Sequence, residues 1–299
     1  MSDVQFFTEH EGETTDATNQ RWLNTVLAHP DFEKAARMSM RQSLARYDRT
    51  PLMSHISKDI VRMFYGYFAL SLDARGGLTL SAMQQLCKEL GISSPGRAHA
   101  MMIHMRMIGF ITPNPDASNR RVKPYIPTPS MEAAFREVMI EEVQAFALLN
   151  PRAADLPRLL ADRDFFKAYL RAIGEGLTNL IRHPRPNAIA HFANRNGGML
   201  ILYKICESAA EEDCYPPRGP VRISVAGLSK QYGVSRSHVL KLLRDAEALG
   251  YLRRDANEQT GVIEEPLRHS LREGHAAAYI GIARCWQKAL KATGAMAPA

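Results

Sequence analysis

The 299-residue chain carries one series of parts twice, and this repetition limits what it can fold into more than any single motif does. "LAHPDFEKA" at 27–35 returns as "LADRDFFKA" at 160–168. A proline-marked break follows each, "DRTP" at 48–51 and "HPRP" at 183–186. Two apolar-rich segments come next, "DIVRMFYGYFALSL" from 59 and "GGMLILYKICESAA" from 197. Last come "GISSPGRAHAMMIHMRMIGFIT" at 91–112 and "GVSRSHVLKLLRDAEALGYLRRD" at 233–255. The period is far longer than that of a solenoid repeat and predicts two similar domains. They are expected at 21–150 and 151–299, joined near "LLNPRAADLP" at 148–157. Residues 1–20 form an acidic, Thr-rich leader with few apolar side chains, a composition that predicts disorder.

Periodicity places the elements inside each copy. In the second, Ser224 is expected to cap a short helix that buries Val225 and Leu228 and stops at Gly233. Ser235 caps the next helix, where Val239, Leu242, Leu243, Ala246 and Leu249 fall three or four apart and predict one buried stripe. Gly250 ends it, and "YLRR" predicts a strand. In the first copy, "SAMQ" at 81–84 has the form of a capping box, ahead of a stripe of Met83, Leu86 and Leu90 and a turn at Gly91. Ser94 caps a second helix with Pro95 in its first position, where a missing N–H costs nothing. Ala98, Met101, Met105 and Ile108 are its predicted buried stripe. A hairpin is expected after each pair, at 110–128 and at 251–266.

Helix, glycine turn, helix is the helix-turn-helix arrangement, whose second helix offers its first turn to the DNA major groove. Ser235, Arg236, Ser237, His238 and, one turn on, Lys241 have no core to enter, so they are the candidates for base and phosphate contacts. An ordinary solvated helix face is the competing reading of these residues taken alone. In the first copy only Ser94, Arg97 and His99 offer polar contacts early in the helix, while Gly96 and Ala100 permit close approach without hydrogen bonds. Arg120, Arg121 and Lys123 cluster near the first hairpin tip and fit a wing that grips the phosphate backbone. Arg253 and Arg254 begin the second hairpin, but Glu258, Glu264 and Glu265 further along it would repel phosphate. The second copy therefore has the better reading helix and the first the better wing. The net charge of +7 includes a leader of −5, which leaves +12 on the rest, a balance suited to a polyanion.

"VAGLSKQYGVSRSHVLKLLRDAEALGYLRRD" resembles the winged helix-turn-helix core of transcriptional regulators of the MarR (multiple antibiotic resistance regulator) or GntR kind. "NRRVKPYIPT" resembles the MarR wing, with Asn119 where that family usually has Asp and Pro-Thr where it has Leu-Thr. Chains of that family carry one winged helix each and pair through long terminal helices. A chain with two implies a fused pseudo-dimer: a mainly α fold with short β-hairpin wings, two winged helix-turn-helix domains on a shared helical platform, and a pseudo-two-fold relation. "DFEKAARMSMRQSLARY", "DFFKAYLRAIGEGLTNLI", "MEAAFREVMIEEVQAFALL" and "REGHAAAYIGIARCWQKALKA" would build the platform. The resemblance implies a DNA-binding transcriptional regulator whose partner is double-stranded DNA, acting as a monomeric pseudo-dimer or in a higher homo-oligomer. It also implies a small aromatic effector between platform and heads. "RMFYGYFAL" could line such a pocket, and plain core is the other reading of the same residues.

Other function classes find little support. There is no HExxH or GxSxG pattern and no phosphate-cradling glycine loop, so neither an enzyme, a metal site nor a cofactor is expected. Cys87, Cys206, Cys214 and Cys285 form no CxxC pair and point to a reduced, cytoplasmic chain. No apolar run is long enough to cross a bilayer, and no membrane partner is expected. The rival reading is a winged helix that binds protein without sequence-specific DNA binding.

Overall fold

A computed structural model describes residues 15–49, 56, 60–116, 124–183, 187–255 and 257–295. Among them the chain is mainly helical, with two small antiparallel sheets. The elements run α1 (Thr15–Leu27), α2 (Phe32–Arg49), α3 (Ile60–Ala74), α4 (Leu80–Glu89), α5 (Pro95–Met107), β1 (Ile111–Pro113), β2 (Tyr125–Pro127) and α6 (Pro129–Phe146). After a 3-10 turn at Pro151–Asp155 come α7 (Leu156–Leu159), α8 (Arg163–Arg182), α9 (Ile189–Ala193) and α10 (Gly198–Glu207). The remainder is β3 (Val221–Arg222), α11 (Val225–Tyr232), α12 (Arg236–Ala248), β4 (Leu252–Asp255), β5 (Thr260–Ile263) and α13 (Glu265–Thr293). None of the described helices is long and apolar enough to cross a membrane. Residues 15–20 of the leader expected to be disordered are helical, because α1 starts at Thr15 and buries Thr18, Trp22 and Val26 at helical spacing, and residues 1–14 lie outside the described residues.

The packing cuts across sequence order. One compact unit holds the described residues of Met1–Ile60, Gln144–Pro151 and Pro186–Ile280. The other holds those of Val61–Val143, Arg152–Arg185 and Gly281–Ala299. They are named here for the helices α12 and α5 that they contain. The expected division at 21–150 and 151–299 therefore does not describe how the chain packs. The repeat identified the parts but not their partners. α2 carries an amphipathic face of Phe32, Ala35, Ala36 and Met40, and it packs on α10, from the other half of the sequence. Nothing in the period of a helix says which copy will cover its apolar face.

In the α12 unit the core joins Trp22 and Val26 of α1, the α2 face, Leu200, Ile201, Leu202 and Ile205 of α10, and Leu267, Leu271, Ala276 and Tyr279 of α13. A polar seam runs through it. His275 Nε2 lies 3.0 Å from the Tyr215 hydroxyl, its ring stacks on Tyr203 and Tyr279, and the Tyr279 hydroxyl is 3.0 Å from Ser39 Oγ. Full burial lowers the His275 pKa to about 4, so the ring is neutral. Burial raises the thiol of Cys206, and in the α5 unit that of Cys285, to about 12. All four cysteines are free.

In the α5 unit "RMFYGYFAL" is core in α3: Tyr65 and Phe68 are buried, and the Tyr65 hydroxyl bonds Ser93. Gly66 lies under the Phe135 ring of α6, where an added Cβ would sit 2.1 Å from Phe135 Cζ, so only glycine lets that ring lie against the helix. α8 contributes Phe165, Phe166 and Tyr169. Arg136 lies 4.1 Å over the Phe166 ring and donates through Nε to the Leu160 carbonyl at 3.1 Å.

Candidate nucleic-acid interface

Each unit contains two helices joined by a tight turn and followed by an antiparallel hairpin, with the second helix partly open to solvent. In the α12 unit the pair is α11 and α12. Ser224 Oγ accepts the Gly227 N–H at 3.2 Å and caps α11. Gly233 takes φ 59°, and Val234 N–H returns to the Ser229 carbonyl at 3.2 Å, closing the helix end in the usual left-handed way. The Ser229 hydroxyl donates to the Val234 carbonyl at 2.6 Å and ties the turn from the other side. Ser235 Oγ then accepts the His238 N–H at 3.1 Å and starts α12.

α12 has two faces. Val239, Leu242, Leu243 and Ala246 are all but inaccessible. Leu249, the expected last member of the stripe, is 54% exposed, because it is the C-cap residue and the chain turns away at Gly250 with φ 70°. On the outer face Ser235, Arg236, Ser237, Lys241 and Arg244 are exposed. Several are already engaged. Ser235 and Ser237 hydroxyls are 2.9 Å apart. His238 Nε2 is 2.9 Å from the Asn196 carbonyl, which can only accept, so the proton is on Nε2 and the ring is pinned beside the turn. Lys241 Nζ donates to Asp245 at 3.0 and 3.2 Å, and Arg195 Nη2 approaches the same carboxylate at 3.4 Å. The Lys241 hydrogen bond holds the Asp245 carboxyl below its ordinary range.

The hairpin behind α12 is a three-stranded sheet in the order β3-β5-β4, antiparallel throughout. Its middle strand needs Gly261, where a Cβ would lie 2.6 Å from Ile223 Cδ1 and 2.8 Å from the Arg253 carbonyl. Arg253 is an exposed side chain paired with Glu264 at 3.1 Å. Arg254 turns inward to Glu247 of α12, with 11% of its side chain exposed, and so joins hairpin to helix. The Glu264 carboxylate, expected to repel phosphate, is a partner of Arg253. Sequence spacing could not show that pairing, because its register comes from the β4–β5 ladder that sets Leu252 opposite Ile263.

In the α5 unit, α4 is capped by Thr79, whose Oγ1 accepts the Ala82 N–H at 3.0 Å. The expected capping box at 81–84 is therefore two residues too late. Thr79 is extended because it bridges Pro124, and that long-range contact is absent from the local pattern. Gly91 turns with φ 65°, Ile92 N–H returns to Cys87 at 3.0 Å, and Gln84 Nε2 donates to the Pro95 carbonyl at 3.0 Å. Ser94 Oγ accepts the Arg97 N–H at 3.3 Å and caps α5, as expected. The buried ladder of α5 is Ala98, Met102 and Met105, not Met101 and Ile108, which are half-buried. With apolar residues on every side of this helix, periodicity alone could not choose the face.

Arg97 and His99 are exposed. Beside His99 lies an open cleft of about 280 Å³ between α5, the start of α4 and β2, lined by Leu80, His99, Met102, Ile103, Arg106, Met107 and Tyr125. Ile103 is 48% exposed and Met107 80%. A cleft of about 270 Å³ occupies the corresponding place in the α12 unit, lined by Ser224, Val225, Leu240, Arg254, Asp255 and Thr260 among others. Arg120, Arg121 and Lys123 lie outside the described residues. Among the described residues no cluster of His, Cys, Asp and Glu could hold a metal ion. No family model, curated protein or solved structure matches this chain.

Proposed function

We propose that the chain is a DNA-binding transcriptional regulator, with α12 as its principal reading helix. The single observation that carries this is the division of α12. Four apolar residues lock one face, and the opposite face offers Ser235, Arg236, Ser237, Lys241 and Arg244 at the capped N-terminal end and along the helix. Free N–H groups of the first turn and nearby cations together suit a phosphate, and the side chains between them suit base edges. His238 and Arg254 act indirectly in this reading. The first fixes the turn through Asn196 and the second ties the hairpin to α12.

The matching order of helix pair and hairpin in both units supports two winged helix-turn-helix heads in one polypeptide, a fused pseudo-dimer. Heads so different would read a lopsided site instead of a palindrome. The first head would add affinity without much base reading, through Arg120, Arg121 and Lys123. The test is selection of duplexes from a random pool, followed by binding measured against salt with molecular mass in the same buffer. An enriched asymmetric motif bound by one chain, with affinity falling steeply as salt rises, is expected. A pool without enrichment and a flat salt response would overturn the reading.

A further inference from the structure

The outer face of α5 points to a protein partner, not to DNA: we infer that the cleft beside it docks an amphipathic peptide segment carrying carboxylates. Its exposed wall is apolar where α12 is cationic. Counted from their N-caps Ser94 and Ser235, Ala100 stands where α12 has Lys241, Ile103 where it has Arg244, and Met107 where it has Ala248. Two large exposed hydrophobes take the places of Arg244 and Ala248, which supplies what a packed interface needs, while Arg106 keeps a cation beside them where α12 has Glu247.

The surface also has the form of a site. Ile103 and Met107, one turn apart on α5, line a concavity together with Leu80, Met102 and Tyr125, large enough for one or two apolar side chains. Methionine walls adapt to different occupants. Arg106 is the cation lining the cleft, beside His99, and Arg97 is exposed at the head of the same helix; among the described residues no carboxylate lines the cleft. A segment with apolar anchors and flanking Asp or Glu therefore meets complementary charge, while a basic segment meets repulsion. This inference does not depend on DNA reading by α12.

The experiment uses the full chain as bait against a displayed library of amphipathic helical peptides, with acidic, neutral and basic flanks equally represented. Enrichment of acidic, apolar-anchored peptides is expected, with binding weakened about tenfold or more by Met107→Glu or Ile103→Glu, as for an anchor position. Arg106→Glu should reverse the preference from acidic to basic flanks. All three positions are exposed, so far-ultraviolet circular dichroism and α12-dependent duplex binding should be unchanged in the variants. Enrichment that ignores flank charge, or binding that survives both glutamate substitutions, overturns the inference. So does a chain that self-associates through this face, seen as a dimer that Met107→Glu splits, or duplex affinity that falls in Met107→Glu.

Discussion

α5 and α12 hold the same place in two similar runs of elements, yet the outer face of α12 is polar and that of α5 sets large hydrophobes among its cations. Both start at a serine cap just beyond a left-handed glycine, three residues on for Ser94 and two for Ser235, and both bury residues at the same distances from that cap. Ala98, Met102 and Met105 correspond to Val239, Leu243 and Ala246. What differs is everything that packing leaves free. The comparison teaches that the buried ladder records how the helix is held, and the outward positions record what it meets. Resemblance between the two segments therefore supports a shared fold position and says nothing about a shared ligand.

The largest expected effect tests the ladder itself. Leu243→Ala removes a fully buried leucine and should cost the α12 unit about 2–5 kcal/mol. Met102→Ala, at the matching position, should fall near the low end of that range, because Met101 and Met105 are flexible neighbours able to refill the space. Urea unfolding of the full chain can separate the two. The chain has two tryptophans, Trp22 in one unit and Trp286 in the other, so Trp→Phe at either leaves a reporter for a single unit. Equal losses would mean that α5 is packed as rigidly as α12.

Acid should also separate the units. His275 is neutral and buried in the α12 unit, with its pKa lowered from 6.5 to about 4. The unfolded chain binds its proton first, so stability that is fully present above pH 6.5 is lost as pH falls towards 4, by roughly 3 kcal/mol across the window. In the α5 unit burial moves Asp73 the opposite way, raising it, so protonation there favours the folded form. The Trp22 signal should therefore weaken in acid ahead of the Trp286 signal, and His275→Phe should narrow the gap. A Trp22 transition that ignores pH between 6.5 and 4 would contradict the assignment.

Much of this arrangement was legible in the sequence, and the gaps have physical causes. The serine caps at 94, 224 and 235 and the glycine turns at 91 and 233 are local, fixed by hydrogen bonds within a few residues, and all are where spacing put them. The Thr79 cap depends on a bridge to Pro124, the Arg253 and Arg254 pairings on strand register, and the grouping of α2 with α10 on which apolar faces meet. Each is a long-range choice that a local pattern does not encode. The open cleft beside Met107 is missed for a related reason. A methionine-rich helix has no period that marks one face as exposed.

DNA binding gives a smaller contrast. Arg236→Glu should weaken an enriched duplex about tenfold to a hundredfold and flatten its preference over random sequence, as loss of a base or phosphate contact with added repulsion does. Arg97→Glu should have a several-fold smaller effect, and Arg121→Glu should weaken every duplex alike while reducing the salt slope by about 1. Fluorescence anisotropy at two salt concentrations distinguishes them. Equal loss of sequence preference at Arg236 and Arg97 would erase the difference between the two helices.

The smallest effect should run in the opposite direction. Asp245 holds Lys241 at 3.0 Å and Arg195, from outside the helix, at 3.4 Å, so a carboxylate occupies a cation that α12 would offer to phosphate and a second one beside it. Asp245→Asn keeps the shape and removes the competing charge. Duplex affinity should rise about twofold to fivefold, the span of an exposed ion pair, and the dependence on salt should steepen. At the matching position α5 has His104, and His104→Asn should leave duplex affinity where it was. If Asp245→Asn weakens binding instead, the carboxylate aims Lys241 at the duplex, and the acidic residues of α12 belong to its reading surface instead of opposing it.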